Sequence, residues 1–513
     1  MTVADFFVDK NVFITGGSGF IGKLLIEKLL RSCSGIGNIY VLLRPKRGNS
    51  IEERLEKITK SPIFNPIRHE NAAALKKIIP IKGDICELNL GLSDEDRQLL
   101  VNKVNIIYHS AASVRFDDFL KDAIILNVRG TREVAKLALD LKNISIFVHI
   151  STTYSNCDKL VVEEKLYPAH ANWTDAIKLA EEYDQGILEI LTQKYIMPFP
   201  NTYTFAKSLG EHVVNDLCNG KVPCVITRPS VVIHTYDDPI EGWMDNFNGP
   251  VGLLAAGGKG ILRVVYAKED MKVDYIPADF VIKGIILATQ SEEVKNVSDT
   301  VEVYNLSYNH ITDMSLGRMI RIGLKISDEL PFENLFWYHR ASCTDNFYMY
   351  YIQVILFHML PAIFIDFVLR IIGQKPRLVK LQRNIYIAST VLIPFMRNTY
   401  WFLNNKFINM QKNLKEEDYT FWFNYKSRTN REMCEYYKKG KIGAALYLLK
   451  ETIPVSERQT RRRVMKYWFA DRALRILLVF FLLWIFVYKL NVFNLVTEKT
   501  LYSFRKLYTN RKV

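Results

Sequence analysis

The chain predicts an α/β fold: a doubly wound parallel sheet, then a mainly helical C-terminal domain, then a hydrophobic C-terminal anchor. Three observations carry this. Short apolar runs alternate with helical patterns over the first 300 residues. A glycine turn, Thr15-Gly16-Gly17-Ser18-Gly19-Phe20-Ile21-Gly22, stands between the first such run and the first helix. After about residue 330 the composition shifts toward aromatics, and near the end a basic stretch leads into an apolar run at 476–488.

Strands are expected at residues 12–14, 39–43, 78–81, 104–108 and 144–150, with a sixth at 224–227. Helical segments between several of them would cover both faces of the sheet. Three regions follow: 1–330, the α/β unit; 331–455, a helical domain; and 456–513, a basic flank with a membrane anchor. The 513 residues can bury a large core, and no internal repeat is seen. The net charge of +14 comes without a nucleic-acid motif or a long basic stripe. It points to an anionic membrane surface or a phosphate-rich substrate. Seven scattered cysteines, odd in number and without a C-x-x-C pair, suggest a reduced, cytosol-facing protein, and no metal is expected. Residues 1–7 lack the zones of a secretory signal, and Arg511-Lys512-Val513 is neither a peroxisomal nor an ER-retention tail.

The glycine turn is read as a Rossmann-type cofactor site. Gly16 allows the tight turn, Gly19 lets backbone approach a pyrophosphate, and Gly22 lets helix pack on sheet. Thr15, Phe20 and Ile21 complete the motif, and the helix N-terminus offers free N–H groups to phosphates. At the end of the second strand, where an acidic residue would select NADH, the chain has Arg44, which pairs with a 2′-phosphate. NADPH is therefore the expected cofactor. Asp84, after the third strand, is placed to accept a bond from the adenine amine. Ser110, Ala111 and Ala112, after the fourth, are small enough to let the dinucleotide pass.

Tyr203 and Lys207 lie four apart, on one face of a helix. A nearby ammonium is expected to lower the phenol's pKa, and such a tyrosine can protonate a carbonyl oxygen while hydride reaches the carbon. Thr152, or alternatively Ser151, would orient that carbonyl. Asn127 would hold a proton-relay water near Lys207.

The ordered set resembles an extended short-chain dehydrogenase/reductase. Arg228-Pro229-Ser230, Gly242-Trp243-Met244-Asp245-Asn246, Gly249-Pro250-Val251-Gly252 and Asp274-Tyr275-Ile276-Pro277-Ala278-Asp279 are similar to alcohol-forming fatty acyl-CoA reductases. So is the distal stretch His358 to Asp366 with Gly373-Gln374-Lys375-Pro376, over a resemblance spanning about residues 10 to 455. It implies that Arg228 and Pro229 join the cofactor site. It also implies that a long-chain fatty acyl-CoA is reduced by four electrons to a primary alcohol. Tyr203 and Thr152 would stabilise the oxygen in both steps, and apolar segments after residue 330 would wall an acyl groove. The rivals are a membrane-bound hydroxysteroid-type dehydrogenase, which does not predict the later domain, and a non-catalytic lipid-surface dinucleotide-binding protein.

A membrane surface or bilayer is the second expected partner. The run at 476–488 is too short alone to span, and its extension to Leu495 takes in Lys489, Asn491 and Asn494. It is read as a spanning or hairpin-like anchor, with an amphipathic docking helix as the alternative. Residues 348–369 are read instead as a buried, substrate-lining pair of helices, because His358, Pro361 and Asp366 interrupt them. The location implied is an intracellular membrane, endoplasmic reticulum or peroxisome, with the catalytic domain facing the cytosol.

Overall fold

A computed structural model of the chain describes residues 1–45, 48–291, 300–308, 314–426, 428–452, 457–485, 487 and 500. Lys46 and Arg47, and the extension of the C-terminal apolar run to Leu495, lie outside these residues. The centre is a seven-stranded sheet built from β1 (Val12–Thr15), β2 (Ile39–Leu43), β3 (Ile78–Lys82), β4 (Ile106–His109), β5 (Ile146–Ile150), β6 (Cys224–Pro229) and β7 (Glu302–Leu306). Its order is β7-β6-β5-β4-β1-β2-β3, with every neighbouring pair parallel. The order reverses between β1 and β4. In open sheets of this kind ligands bind at that crevice, outside the carboxyl ends of the strands.

Alternation along each strand sends side chains to two cores. Val12 and Ile14 join one core, with helices Phe20–Ser32 and Ala278–Thr289; Phe13 joins the other, with helices Gly130–Asp140 and Thr202–Cys218. Six of the strands match those expected, with β4 and β5 each beginning two residues later. The seventh, β7, was not foreseen. It is an edge strand in which Glu302 and Asn305 interrupt the apolar pattern. Asn305 is nonetheless fully buried, because its Nδ2 donates to the carbonyls of Val162 (3.0 Å) and Leu403 (2.8 Å).

The later helical region is sewn into the first. Ser342–Thr344 pairs in parallel with Val264–Tyr266, and Trp401–Phe402 with Val161–Val162. Helix Asn430–Gly443 packs so closely that a Cβ on Gly443 would sit 1.8 Å from the Gly242 carbonyl oxygen.

One sequence expectation is overturned here. Residues 348–369 are not a buried pair of helices. They belong to a single helix, Phe347–Ile371, of which only 22% of the most apolar stretch is buried. Among the described residues it is the one helix long and apolar enough to cross a membrane. The polar residues that argued for burial do face inward: His358 Nε2 accepts from the Arg263 N–H at 2.9 Å, and Asp366 accepts three N–H bonds from Arg377, Leu378 and Val379 at 2.9 Å. Between them Leu360, Ile363, Phe364 and Ile365 face outward. The basic stretch and the start of the terminal apolar run form one further helix, Glu457–Trp484, whose apolar end is exposed.

Candidate active site

The site begins where β1 ends. Gly16 has φ +77°, and a Cβ there would lie 2.6 Å from the Ala111 nitrogen. The turn therefore runs directly against Ser110 and Ala111, which follow β4. Gly19 donates to the Gly16 carbonyl at 2.9 Å and begins helix Phe20–Ser32, with no side chain capping its first N–H groups. Those donors stay free for an anion. The role expected of Gly22 falls elsewhere. Its Cβ would meet the Gly16 carbonyl oxygen at 2.3 Å, so Gly22 closes the helix onto the turn. The contact with the sheet is made by Gly17, whose Cβ would lie 2.5 Å from the Val41 side chain. The cradle that added Cβ atoms would fill, together with the uncapped helix start, fits a dinucleotide pyrophosphate. Phe20 stacks on Trp243 at 5.2 Å, and Ile21 beside it is half-buried.

Thr15 is fully buried and acts from beneath. Burial, with the Lys207 cation adding to it, lowers the His109 imidazole to about 3, so the ring is neutral. One nitrogen then donates and the other accepts. The bonds fall into one direction. The Ala111 N–H donates to Thr15 Oγ1 (3.2 Å), and Thr15 to His109 Nδ1 (2.8 Å). His109 Nε2–H donates to Thr131 (2.9 Å), and Thr131 to the Asn127 carbonyl (2.7 Å). This chain ties the crevice wall to the helix below it. The Asn127 side chain is itself occupied, accepting from the Ser113 N–H at 2.9 Å and donating to the Ser113 carbonyl at 3.1 Å. Asn127 therefore fixes the loop after Ala112 with its side chain and receives Thr131 on its backbone.

At the ends of β2 and β3, Arg44 is 66% exposed, and its Nε lies 3.7 Å from Asp84 Oδ2. Asp84 also accepts from the Cys86 N–H at 3.0 Å.

Tyr203 lies in the first turn of helix Thr202–Cys218, whose start is fixed by Asn201 accepting from the Thr204 N–H at 2.9 Å. The Thr152 hydroxyl, which accepts from the Tyr154 N–H at 3.2 Å, acts on the phenol against the effect of burial. Lys207 is buried and donates to the Ile150 carbonyl at 2.7 Å, where β5 ends. The expected lowering of the phenol pKa is reversed: burial pushes Tyr203 up to about 12, against a smaller opposing effect from Thr152. Burial likewise lowers Lys207 to about 8, and the Glu211 charge opposes that fall.

Ser151 and Arg228 serve a different centre. Glu211, buried one turn beyond Lys207, accepts from Ser151 Oγ (2.5 Å), Ser155 Oγ (2.8 Å), Arg228 Nε (2.8 Å) and Arg228 Nη2 (2.6 Å). Arg228 is fully enclosed and its guanidinium is taken up by Glu211. Pro229 follows it at the end of β6.

Beyond Tyr203 lies an apolar cavity of about 210 Å³, with Tyr154, Met244, Met271, Phe332 and Phe395 in its walls. The Phe116 ring sits 5.3 Å from Tyr203 and 5.4 Å from Phe395, so one aromatic layer separates the phenol from the cavity.

Sequence comparisons fit this geometry. The chain matches two family models described as "Male sterility protein", one over residues 14–285 and one over 357–451. It is 35% identical over 466 residues to "Fatty acyl-CoA reductase wat" of Drosophila melanogaster, covering 90% of this chain and 89% of that one. It is 34% identical over 451 residues to "Fatty acyl-CoA reductase 1" of Homo sapiens, covering 88% and 87%. The chain belongs to the fatty acyl-CoA reductase family. Among solved structures, the reductase adopts the fold of the terminal R domain from the myxalamid PKS-NRPS biosynthetic pathway. That match has a TM-score of 0.56 at 17% identity and covers 86% of this chain and 91% of that one. The reductase (R) domain of a non-ribosomal peptide synthetase from Mycobacterium tuberculosis is similar, with a TM-score of 0.54 at 17% identity, covering 86% and 95%.

Sequence reasoning about this reductase missed three groups. Glu211 had a signal, since Tyr203, Lys207 and Glu211 recur every four residues on one helical face. The histidines His109 and His149 had a weaker one. They pair in register near the ends of adjacent strands, and the His149 ring nitrogens have no hydrogen-bond partner among the described residues. Phe116 and Phe395 had none, because they meet from far apart in the sequence.

Proposed function

We propose that this reductase uses NADPH to reduce a long-chain fatty acyl-CoA to a primary alcohol in two hydride steps at one site. The observation that carries the reading is the placement of Tyr203 and Thr152. Thr152 follows β5 at the carboxyl edge of the sheet, and Tyr203 packs on Phe116, which packs in turn on Phe395 in the wall of the apolar cavity. Bound NADPH supplies hydride to the carbonyl carbon. Tyr203 donates its proton to the oxygen as charge develops there, and Thr152 orients that oxygen. Lys207, held by the Ile150 carbonyl, keeps a cation below the phenol. In the first step the thioester becomes a hemithioacetal, which collapses to aldehyde and free CoA. In the second the aldehyde takes another hydride and a proton and becomes the alcohol. The cavity accepts apolar chain, each buried methylene contributing about 0.8 kcal/mol.

Arg44 supports NADPH over NADH, since its guanidinium stands exposed at the second-strand end beside Asp84. The reading is tested by incubating the protein with palmitoyl-CoA and either cofactor. Two NADPH consumed per alcohol and per CoA released is the expected balance. With NADH, kcat/KM is expected to fall by at least about tenfold, the size of one lost charged contact. Arg44→Ala should narrow that gap by weakening NADPH alone. Accumulation of aldehyde at one NADPH per CoA would overturn the four-electron reading, and equal use of NADH would overturn the cofactor assignment.

A further inference from the structure

Helix Phe347–Ile371 has two faces of different character. Tyr350, Val354, His358, Ala362 and Asp366 are buried, each four residues from the last. A straight α-helix would let such a stripe drift around its axis. Here the π-helical turn Ile355–Met359 rotates less per residue and pulls the stripe back into line. The polar members of the stripe are satisfied inside the protein. His358 receives the Arg263 N–H, and Asp366 caps the start of the following helix, Leu378–Met396. The opposite face exposes Ile352, Ile363, Phe364, Phe367 and Ile371, each between 48% and 69% accessible.

Charge and continuity indicate what covers this face. From 347 to 383 the exposed charged residues are Arg370, Lys375, Arg377, Lys380 and Arg383, and the sole acid, Asp366, is buried. Helix Glu457–Trp484 is fastened alongside. Asp471 pairs with the same Arg263 and accepts from Trp337 Nε1 at 2.7 Å, and Arg475 lies 5.9 Å from the Phe357 ring. Its exposed apolar end, including Phe480, Phe481 and Trp484, therefore extends from the same neighbourhood.

We propose that the outer face of helix Phe347–Ile371 lies in the surface layer of an anionic phospholipid bilayer, parallel to the membrane and not across it. Its inner stripe stays locked to the protein, which a spanning helix would have to abandon. The exposed basic residues at its end meet the anionic headgroups. This gives the protein a second membrane contact beside the C-terminal segment. On its inner side the following helix contributes Leu392, Phe395 and Met396 to the cavity wall, so the bilayer borders that wall.

The full chain carrying the photoreactive residue p-benzoylphenylalanine at position 352, 364 or 371 tests this, with position 190 as the comparison. Ile190 is 83% exposed on helix Gln185–Tyr195, which shares no core cluster with helix Phe347–Ile371. Each protein is irradiated with phosphatidylcholine vesicles containing phosphatidylserine, and adducts are mapped by mass spectrometry. Lipid adducts at 352, 364 and 371, all on the upper acyl carbons, and none above background at 190, are expected. Absence of lipid adducts at the three positions would overturn the proposal. So would cross-links to a second copy of the chain in their place, or adducts graded from headgroup to chain end along the helix.

Discussion

Tyr203→Phe is expected to lower alcohol formation by roughly 10²–10⁴-fold, the usual contribution of a positioned general acid. NADPH affinity should stay within about twofold, because the glycine turn and Arg44, which would hold the dinucleotide, lie on other elements. The ring remains, so its packing against Phe116 at 5.3 Å is kept and only the hydroxyl is lost. The two ionisations near the site sharpen the expectation. Burial holds the phenol near 12, so Tyr203 carries its proton throughout the neutral range and can donate it. Burial also lowers Lys207 to about 8. Below that value the ammonium is present to stabilise a developing phenolate; as pH rises through it the cation is lost. Wild-type kcat/KM should therefore fall on the alkaline side of about 8. Stopped assays of alcohol by mass spectrometry, with NADPH binding followed by fluorescence, check both points. Unchanged alcohol output from Tyr203→Phe would remove the tyrosine from its role.

Arg228→Met is expected to destabilise the protein by about 3–5 kcal/mol, the cost of leaving a buried carboxylate without its partner. Burial alone would raise the Glu211 pKa. The Arg228 charge and its bonds, helped by Ser151 and Ser155, outweigh that and hold it below the ordinary 4.5. A depressed folded pKa contributes stability above the unfolded value, lost as pH falls through the folded one. The wild-type contribution should thus be complete at neutral pH and be lost only in acid, as pH falls through the depressed folded value. Replacing both partners, Arg228→Met with Glu211→Met, should recover most of the loss, since two apolar side chains leave no unpaired charge. Urea midpoints of the single and double variants measure this. A double variant as unstable as the single one would mean that packing volume, and not charge, sets the cost. The double variant, which replaces Glu211, also removes the acceptor of Ser151 and Ser155, which stand on either side of Thr152 in the sequence, so it should lose activity even when folded.

The sheet was legible because six of its strands are continuous apolar runs bounded by turn residues, as a sheet covered on both faces requires. The seventh hid behind Glu302 and Asn305. An edge strand has partners on one side only, and here Asn305 turns its amide toward two backbone carbonyls that the sequence does not bring near. The glycine turn and the Tyr203–Lys207 spacing were legible for a local reason, since both lie within one or two turns of chain. What helix Phe347–Ile371 faces was not. Polar residues such as His358 and Asp366 in an apolar run suggest a water-excluding core around them. The structure places them on the inward side, with backbone partners, and turns the apolar residues out. The phenol's pKa was misjudged for a related reason: spacing reports that a lysine is near, but not that both groups are enclosed. Arg228 shows the same limit, its partner Glu211 lying on a different element.

The central claim is that Tyr203 and Lys207 face the reactive end of a bound reduced dinucleotide. A crystal structure of the full chain with NADP⁺ tests it most directly. The account predicts the pyrophosphate over the N-terminus of helix Phe20–Ser32, the 2′-phosphate beside Arg44, and the nicotinamide ring against Tyr203 with Thr152 behind it. A dinucleotide bound at the glycine turn with its nicotinamide directed away from Tyr203 would contradict it.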